Sequence, residues 1–275
     1  MRNSGTEIAY AKLNLALHVR ARQADGYHQI ETLFAFVDDG DRLSVAPSNA
    51  LTLTIAGEFA DDLDGGEDNL VLRAARLLQE RAAIPTGAAL HLEKQLPVAS
   101  GIGGGSADAA ATLRLLARHW HVAPDIYLAG IAAELGADVP ACLRAATCIG
   151  TGIGTDLGDP PELGLTGTAA LLVNPLFECP TGAVFSGWDQ QDRGPLDPLD
   201  YLRSRNDLTT SAMHQVPEIV EVLTVLRAQV PRLARMSGSG ATCFALFRNA
   251  MERDAAATRI ASSHPEWWQM AGALR

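Results

Sequence analysis

Three places in this chain carry residue types that could handle a phosphorylated substrate: the run Pro97-Val98-Ala99-Ser100-Gly101-Ile102-Gly103-Gly104-Gly105-Ser106, the lysine Lys12 and the carboxylate Asp138. Four glycines in five residues free the backbone of Cβ constraints, so that successive N–H groups can converge on one point. An alanine-rich stretch, Ser106 to Arg118, follows directly and has the composition of a helix. A glycine loop feeding a helix start aims unpaired donors and a positive dipole end at the same place, which suits a phosphate. A turn that merely packs a helix against a sheet is the alternative. Neither familiar nucleotide fingerprint fits. The loop lacks the Lys-Ser/Thr pair of a Walker A motif, and Ser106 stands where a dinucleotide motif beginning at Gly101 would need glycine. The loop holds no cation either, so a bound triphosphate would draw positive charge from elsewhere in the chain or from Mg²⁺. That requirement is what makes Lys12 of interest.

The elements that must position these groups follow from periodicity. Residues 9–19 alternate, with Ala9, Ala11, Leu13, Leu15, Leu17 and Val19 on one face and Tyr10, Lys12, Asn14, Ala16 and His18 on the other. The alternation predicts a half-buried strand with Lys12 and Asn14 on its polar face. Asp25-Gly26-Tyr27-His28 is a turn, residues 29–37 a second strand, and Asp38-Asp39-Gly40-Asp41 a reversal into residues 42–45. A strand over 51–55, a solvated acidic loop over 61–68, a helix opened by Asn69 and running to Arg81, and a strand over 89–94 lead to the glycine loop. Helices are predicted over 106–118 and 124–135. In Gly136-Ala137-Asp138-Val139-Pro140 the proline marks a new helix start, so Asp138 is either an end-charge device or a base held in place. Beyond residue 158 come a strand over 169–175, a short helix over 181–188, a polar loop over 189–198 and helices over 207–213 and 218–229. A second glycine loop, Met236-Ser237-Gly238-Ser239-Gly240-Ala241, then feeds a strand over 242–247 and a last helix over 251–262.

Composition narrows the class. With 275 residues, two domains are expected, over 1–157 and 158–275. Hydrophobic residues make up 47% and charged residues 20%, as in ordinary globular proteins. A net charge of −10 without a basic cluster argues against nucleic acid or an anionic membrane surface as partner. No apolar run approaches the roughly twenty residues of a membrane span, and Met1 to Glu7 lacks the apolar core of a secretion signal. Cys142, Cys148, Cys179 and Cys243 show neither metal-ligand spacing nor a disulfide framework, and read as reduced core thiols of a cytoplasmic protein.

Taken in order, Ala11-Lys12-Leu13-Asn14-Leu15, Ala24-Asp25-Gly26-Tyr27-His28, Leu96-Pro97 with Gly101 to Ser106, Gly136-Ala137-Asp138-Val139-Pro140 and Ser237-Gly238-Ser239-Gly240 resemble the motifs of the GHMP kinase superfamily. The likeness covers nearly the whole chain and is weakest over 189–205. It implies an α+β, two-lobed GHMP kinase fold with the active site in the cleft between the lobes. It implies transfer of the γ-phosphoryl of ATP, with Mg²⁺, to a hydroxyl of a small molecule. By matching position, Asp138 is the catalytic base and Lys12 its cationic neighbour. Pro97, Ser100, Gly101, Ile102, Gly103, Gly104, Gly105 and Ser106 cradle the ATP phosphates, with Lys94 and Asn69 near the base and sugar. Within the superfamily the motifs are most similar to a branch whose acceptor is a cytidine diphosphate sugar alcohol of isoprenoid precursor biosynthesis. The resemblance puts Tyr27, His28, Thr181 and Phe185 around its cytidine diphosphate end and Asn14 near the accepting moiety, with Gly238, Ser239 and Gly240 closing the site. One departure is Ala107, where the family often has a second serine, which leaves Ser106 as the loop's candidate metal ligand. The rival expectations are a kinase of homoserine or mevalonate type, and a nucleotide-binding regulator without catalysis.

Overall fold

The structure, a computed structural model, describes residues 5–275, so the reading of the N-terminus as lacking a signal lies partly outside the described residues. It divides into two compact units that interleave in sequence: Met1–Ala11, Asp39–Val98 and Gly103–Ala145 in the first, and Lys12–Asp38, Ala99–Ile102 and Ala146–Arg275 in the second. The expected division at residue 157 is a single cut along the chain; these units are groupings in space. They interleave because two long strands, β1 (Gly5–Arg22) and β2 (His28–Ser48), run from one into the other.

In the first unit β3 (Thr52–Ala56) lies parallel to β4 (Gly87–Glu93), which lies antiparallel to the second half of β2, Arg42 facing Glu93. Parallel neighbours need a crossover, and α1 (Leu70–Arg81) provides it. Asn69 caps α1, its side chain accepting from the Val71 N–H. Three further helices, α2 (Gly104–His119), α3 (Pro124–Leu135) and α4 (Val139–Arg144), complete the unit. Helix α2 is buried from Ala107 to Ala117 except at Arg114, and its alanines let the other helices pack closely.

The second unit carries the rest of β1 and β2, joined by a turn in which Gly26 takes φ +91°. Strand β5 (Cys148–Thr151) pairs with β2, and β6 (Asp156–Gly158) with β5. A second sheet, antiparallel throughout, runs β10 (Trp268–Ala273), β7 (Ala169–Asn174), β9 (Cys243–Phe247), β8 (Leu233–Met236). The short helices α5 (Thr181–Ser186) and α6 (Thr209–Gln215) precede α7 (Glu218–Ala228) and α8 (Ala250–Ser263), which pack on that sheet. Its core gathers Leu17, Val173, Val184, Ile219, Leu226 and Phe247.

Two sequence expectations are corrected here. The predicted reversal at residues 38–41 does not occur, and β2 continues straight through it. Gly40 serves a close approach instead, since a Cβ there would lie 2.0 Å from the Ala9 carbonyl oxygen of β1. Nor is β1 half-buried: residues 11–19 are buried on both faces, Lys12, Asn14 and His18 included. Their polar atoms find partners inside the protein, which is what permits their burial. No helix among the described residues is long and apolar enough to cross a membrane, and the four cysteines are buried thiols outside any disulfide.

Candidate active site

In the first unit, Gly103 is the N-cap of α2 and takes φ +68°, a conformation that glycine adopts without strain. It offers no side chain to cap the helix, so the first N–H groups of α2, at Gly104, Gly105 and Ser106, have no side-chain cap and no partner within the helix. No acidic residue stands in that first turn. An anion is thereby favoured at this end.

Asp138 stands immediately before α4, with φ −83° and ψ −17°, and its side chain makes no capping hydrogen bond. Capping is therefore not what holds the carboxylate here. Pro140, expected to open the helix, takes its second position. Asn69 spends its amide locally, accepting from Val71 and donating to the Asp64 carbonyl at 2.9 Å.

Lys94 is 1% exposed. Its Nζ donates to Asp41 Oδ2 at 2.5 Å and to Asp108 Oδ2 at 2.8 Å. Burial pulls the ammonium down, but the attraction of Asp108 and then of Asp41 outweighs it and holds Lys94 above its ordinary pKa. Burial pushes Asp108 up to about 7, against the opposing pull of Lys94. The ammonium of Lys94 is thus engaged within the protein rather than presented at the surface.

The second unit joins several of the remaining predicted residues in one hydrogen-bonded network. Lys12 Nζ donates to Asn14 Oδ1 at 3.1 Å and sits 4.9 Å from the centroid of the Phe34 ring. The Lys12 backbone N–H donates to the Ile102 carbonyl at 3.0 Å, tying β1 to the glycine loop. Asn14 Nδ2 donates to Thr32 Oγ1 at 2.8 Å, and the Asn14 N–H donates to Ser237 Oγ at 3.1 Å. Ser237 Oγ in turn donates to the Gly101 carbonyl at 3.0 Å, and the Thr242 N–H to that of Ser100 at 3.1 Å. Gly101 and Gly238 take φ +76° and +54°, and a Cβ on Gly238 would lie 2.7 Å from the Gly101 carbonyl oxygen. The two glycine loops are therefore in direct backbone contact. Thr181 Oγ1 and Ser239 Oγ share a hydrogen bond of 3.0 Å.

The aromatic residues gather beside this network. His28 packs against Phe185 with ring centroids 5.1 Å apart, and edge-on against Trp188 at 5.8 Å. Burial, then the charge of Arg22, lowers the His28 pKa, so its ring is neutral near pH 7 and can both donate and accept. Tyr27 is 59% exposed and is not a core residue.

Sequence reasoning did not single out Thr32, Trp188, Asp41 or Asp108, nor the bridging role of Ser237. For Asp108 a signal was present: it is the one carboxylate in the run Ala107-Asp108-Ala109-Ala110-Ala111 of a helix built for burial. Thr32, Trp188 and Asp41 carry no local signal.

Comparison with known proteins follows the same lines. GHMP kinases N terminal domain matches residues 69–146, and GHMP kinases C terminal matches residues 187–266. A 4-diphosphocytidyl-2-C-methyl-D-erythritol kinase of Sphingopyxis alaskensis is 53% identical, over 98% of this chain and 98% of its own. That of Rhizorhabdus wittichii is 54% identical, over 98% and 94%. Among solved structures, a 4-(cytidine 5'-diphospho)-2C-methyl-D-erythritol kinase superposes with a TM-score of 0.82 at 33% identity, covering 98% of this chain and 99% of that one. A homoserine kinase from Cytophaga hutchinsonii shares the fold, with a TM-score of 0.73 at 16% identity. The fold is that of the GHMP kinases, whose co-substrate is ATP, and this chain belongs to the 4-diphosphocytidyl-2-C-methyl-D-erythritol kinase family.

Proposed function

We propose that this protein transfers the γ-phosphoryl group of ATP to the 2-hydroxyl of 4-diphosphocytidyl-2-C-methyl-D-erythritol, a step of non-mevalonate isoprenoid precursor biosynthesis. The observation that carries this reading within the family is the network that links Lys12, Asn14, Gly101 and the Ser237–Gly240 loop. The N–H groups at the start of α2 receive the phosphates, with Pro97 and Ser100 to Ser106 shaping the loop around them. Asp138 takes the proton of the acceptor hydroxyl as the new O–P bond forms. Lys12 offsets charge on the transferring group. Asn14, fixed by Thr32 and Ser237, orients the accepting moiety.

Mg²⁺ would enter as a cation brought in on the phosphates. Among the described residues no group of three or more His, Cys, Asp or Glu could hold a metal, and the Ser106 hydroxyl is the protein oxygen nearest the role in sequence. When bound, the cation neutralises β- and γ-phosphate oxygens. The four buried thiols, none in a disulfide, suit a reducing compartment, and we place the reaction in the cytoplasm.

Tyr27 and Phe185 stack on the cytosine, and His28 reads its polar edge. Base–aromatic stacking contributes about 1–3 kcal/mol, so Phe185→Ala raises KM for the cytidyl acceptor roughly tenfold to a hundredfold and leaves KM for ATP unchanged. His28→Ala removes discrimination between cytidine and uridine acceptors, because a hydrogen-bonded edge separates these bases and stacking does not. A coupled ADP-release assay across cytidyl, uridyl and non-nucleotide acceptors checks all three statements. Equal turnover of a homoserine or mevalonate acceptor would overturn the substrate.

A further inference from the structure

The buried charges beneath the glycine loop have no part in the chemistry above, yet their connections are specific. Asp41, on β2, accepts at Oδ1 from the backbone N–H of Gln95 at 2.6 Å and of Leu96 at 2.8 Å. These are the last two residues before Pro97, where the loop begins. Oδ2 of the same carboxylate receives Lys94 Nζ, which also reaches Asp108, one turn into α2 beyond the end of the loop. Asp41, Lys94 and Asp108 are 0%, 1% and 2% exposed. A Cβ on Gly104 would lie 3.0 Å from Lys94 Nζ, so the ammonium also sits against the first residue of α2.

We propose that Asp41, Lys94 and Asp108 are positioning residues that tie the two ends of the glycine loop to one buried charge and so set the geometry in which its N–H groups meet the ATP phosphates. None of the three touches the nucleotide in this account, which moves Lys94 from contact with base and sugar to support of the loop. Three features support it. Fixing only one end of a loop of this length leaves its glycines free to rearrange, whereas the cluster grips both. Two carboxylates and one ammonium, all desolvated, persist only if their geometry is well satisfied, so the cluster resists distortion. And the donors it controls are those whose exact aim decides anion affinity at a helix start.

The proposal rests on the glycine loop being the ATP site, and the test separates the two. Asp41→Asn retains the shape and an acceptor for the Gln95 and Leu96 N–H groups but removes the charge that holds Lys94. Lys94→Met removes the bridge. KM does not depend on the fraction of enzyme that is folded, so it reports loop geometry independently of stability. Lys94→Met should raise KM for ATP about tenfold to a hundredfold, with KM for the cytidyl acceptor within about threefold of wild type. Asp41→Asn should show the same selectivity with a smaller rise, about threefold to tenfold, and supplies the result if Lys94→Met does not fold. Gly103→Val, which places a branched side chain on the loop itself, is measured beside them by calorimetry with a non-hydrolysable ATP analogue. If Gly103→Val leaves ATP affinity unchanged, the loop reading fails. If Gly103→Val weakens ATP while the folded cluster variants keep a wild-type KM for ATP and merely melt earlier, the loop reading stands and the clamp is overturned.

Discussion

Replacing Asp138 with asparagine is expected to slow turnover by about 10²–10⁴-fold while KM for ATP stays within a few-fold of wild type. The substitution keeps the shape of the side chain and removes only its capacity to take a proton. Asp138 makes no side-chain capping bond to α4, so the substitution removes no helix cap. A large loss in kcat with ATP binding little changed belongs to a general base rather than to a helix-end charge. Single-turnover kinetics together with a thermal melt make the distinction. A kcat near wild type would return Asp138 to the electrostatics of a helix start.

Gly101→Ala is expected to be the most damaging small substitution in the glycine loop. A Cβ at this position would meet the Ser237 carbonyl oxygen at 2.5 Å and the Gly240 oxygen and nitrogen at 2.7 Å and 2.8 Å. All three are backbone atoms, so no side chain can rotate out of the way, and φ at +76° is unfavourable for alanine in any case. Strain and overpacking together cost about 2–5 kcal/mol. The expected result is a clear fall in the denaturant midpoint and a KM for ATP raised at least tenfold. Gly105→Ala is the comparison for stability. It lies within α2, and its added methyl would meet only Leu70 Cδ1, at an ordinary 3.5 Å. Equal denaturation midpoints for the two variants would show that the approach of Gly101 to the second glycine loop is not maintained in solution.

Much of the fold was legible because its signals are local. Asn69 before an apolar stripe, Pro124 at a helix start and the alternation along β1 each depend on neighbours in sequence, and the corresponding elements lie close to where they were expected. What the alternation could not show is that the polar face of β1 is buried. Asn14, His18 and Val19 are satisfied by Ser237, by Gly194 and Ser204, and by Asp207, all distant in the chain. Gly40 looked like a turn because glycine among aspartates usually is one; its actual cause, the passage of Ala9 across it, leaves no trace in the adjacent residues. Strands β8 and β10 were missed because they are short, four and six residues, and mix Arg235 or Gln269 with apolar side chains. Of the candidate site, the glycine loops and the residues at their ends could be read directly. The links among Thr32, Ser237 and Gly101 could not, since each is a pairing of hydroxyls with groups that only the fold brings near.

The reach of these pairings has a consequence for synthesis. Strand β1 leaves the ribosome well before its partners: the Asn14 N–H waits for Ser237, 223 residues later, and the Val19 N–H for Asp207, 188 residues later. Arg235, buried and pushed down to about 10 by that burial, completes the same late group by donating to the carbonyls of Leu15, Tyr201, Leu202 and Ser204. At the usual 5–20 residues per second the interval is on the order of ten to forty-five seconds, during which a nascent strand with a fully apolar face and an unsatisfied polar one is held without its partners. The emerging chain thus presents, throughout that interval, the kind of segment that holdase chaperones bind, and a ribosome stalled before Arg235 is added leaves that segment permanently open.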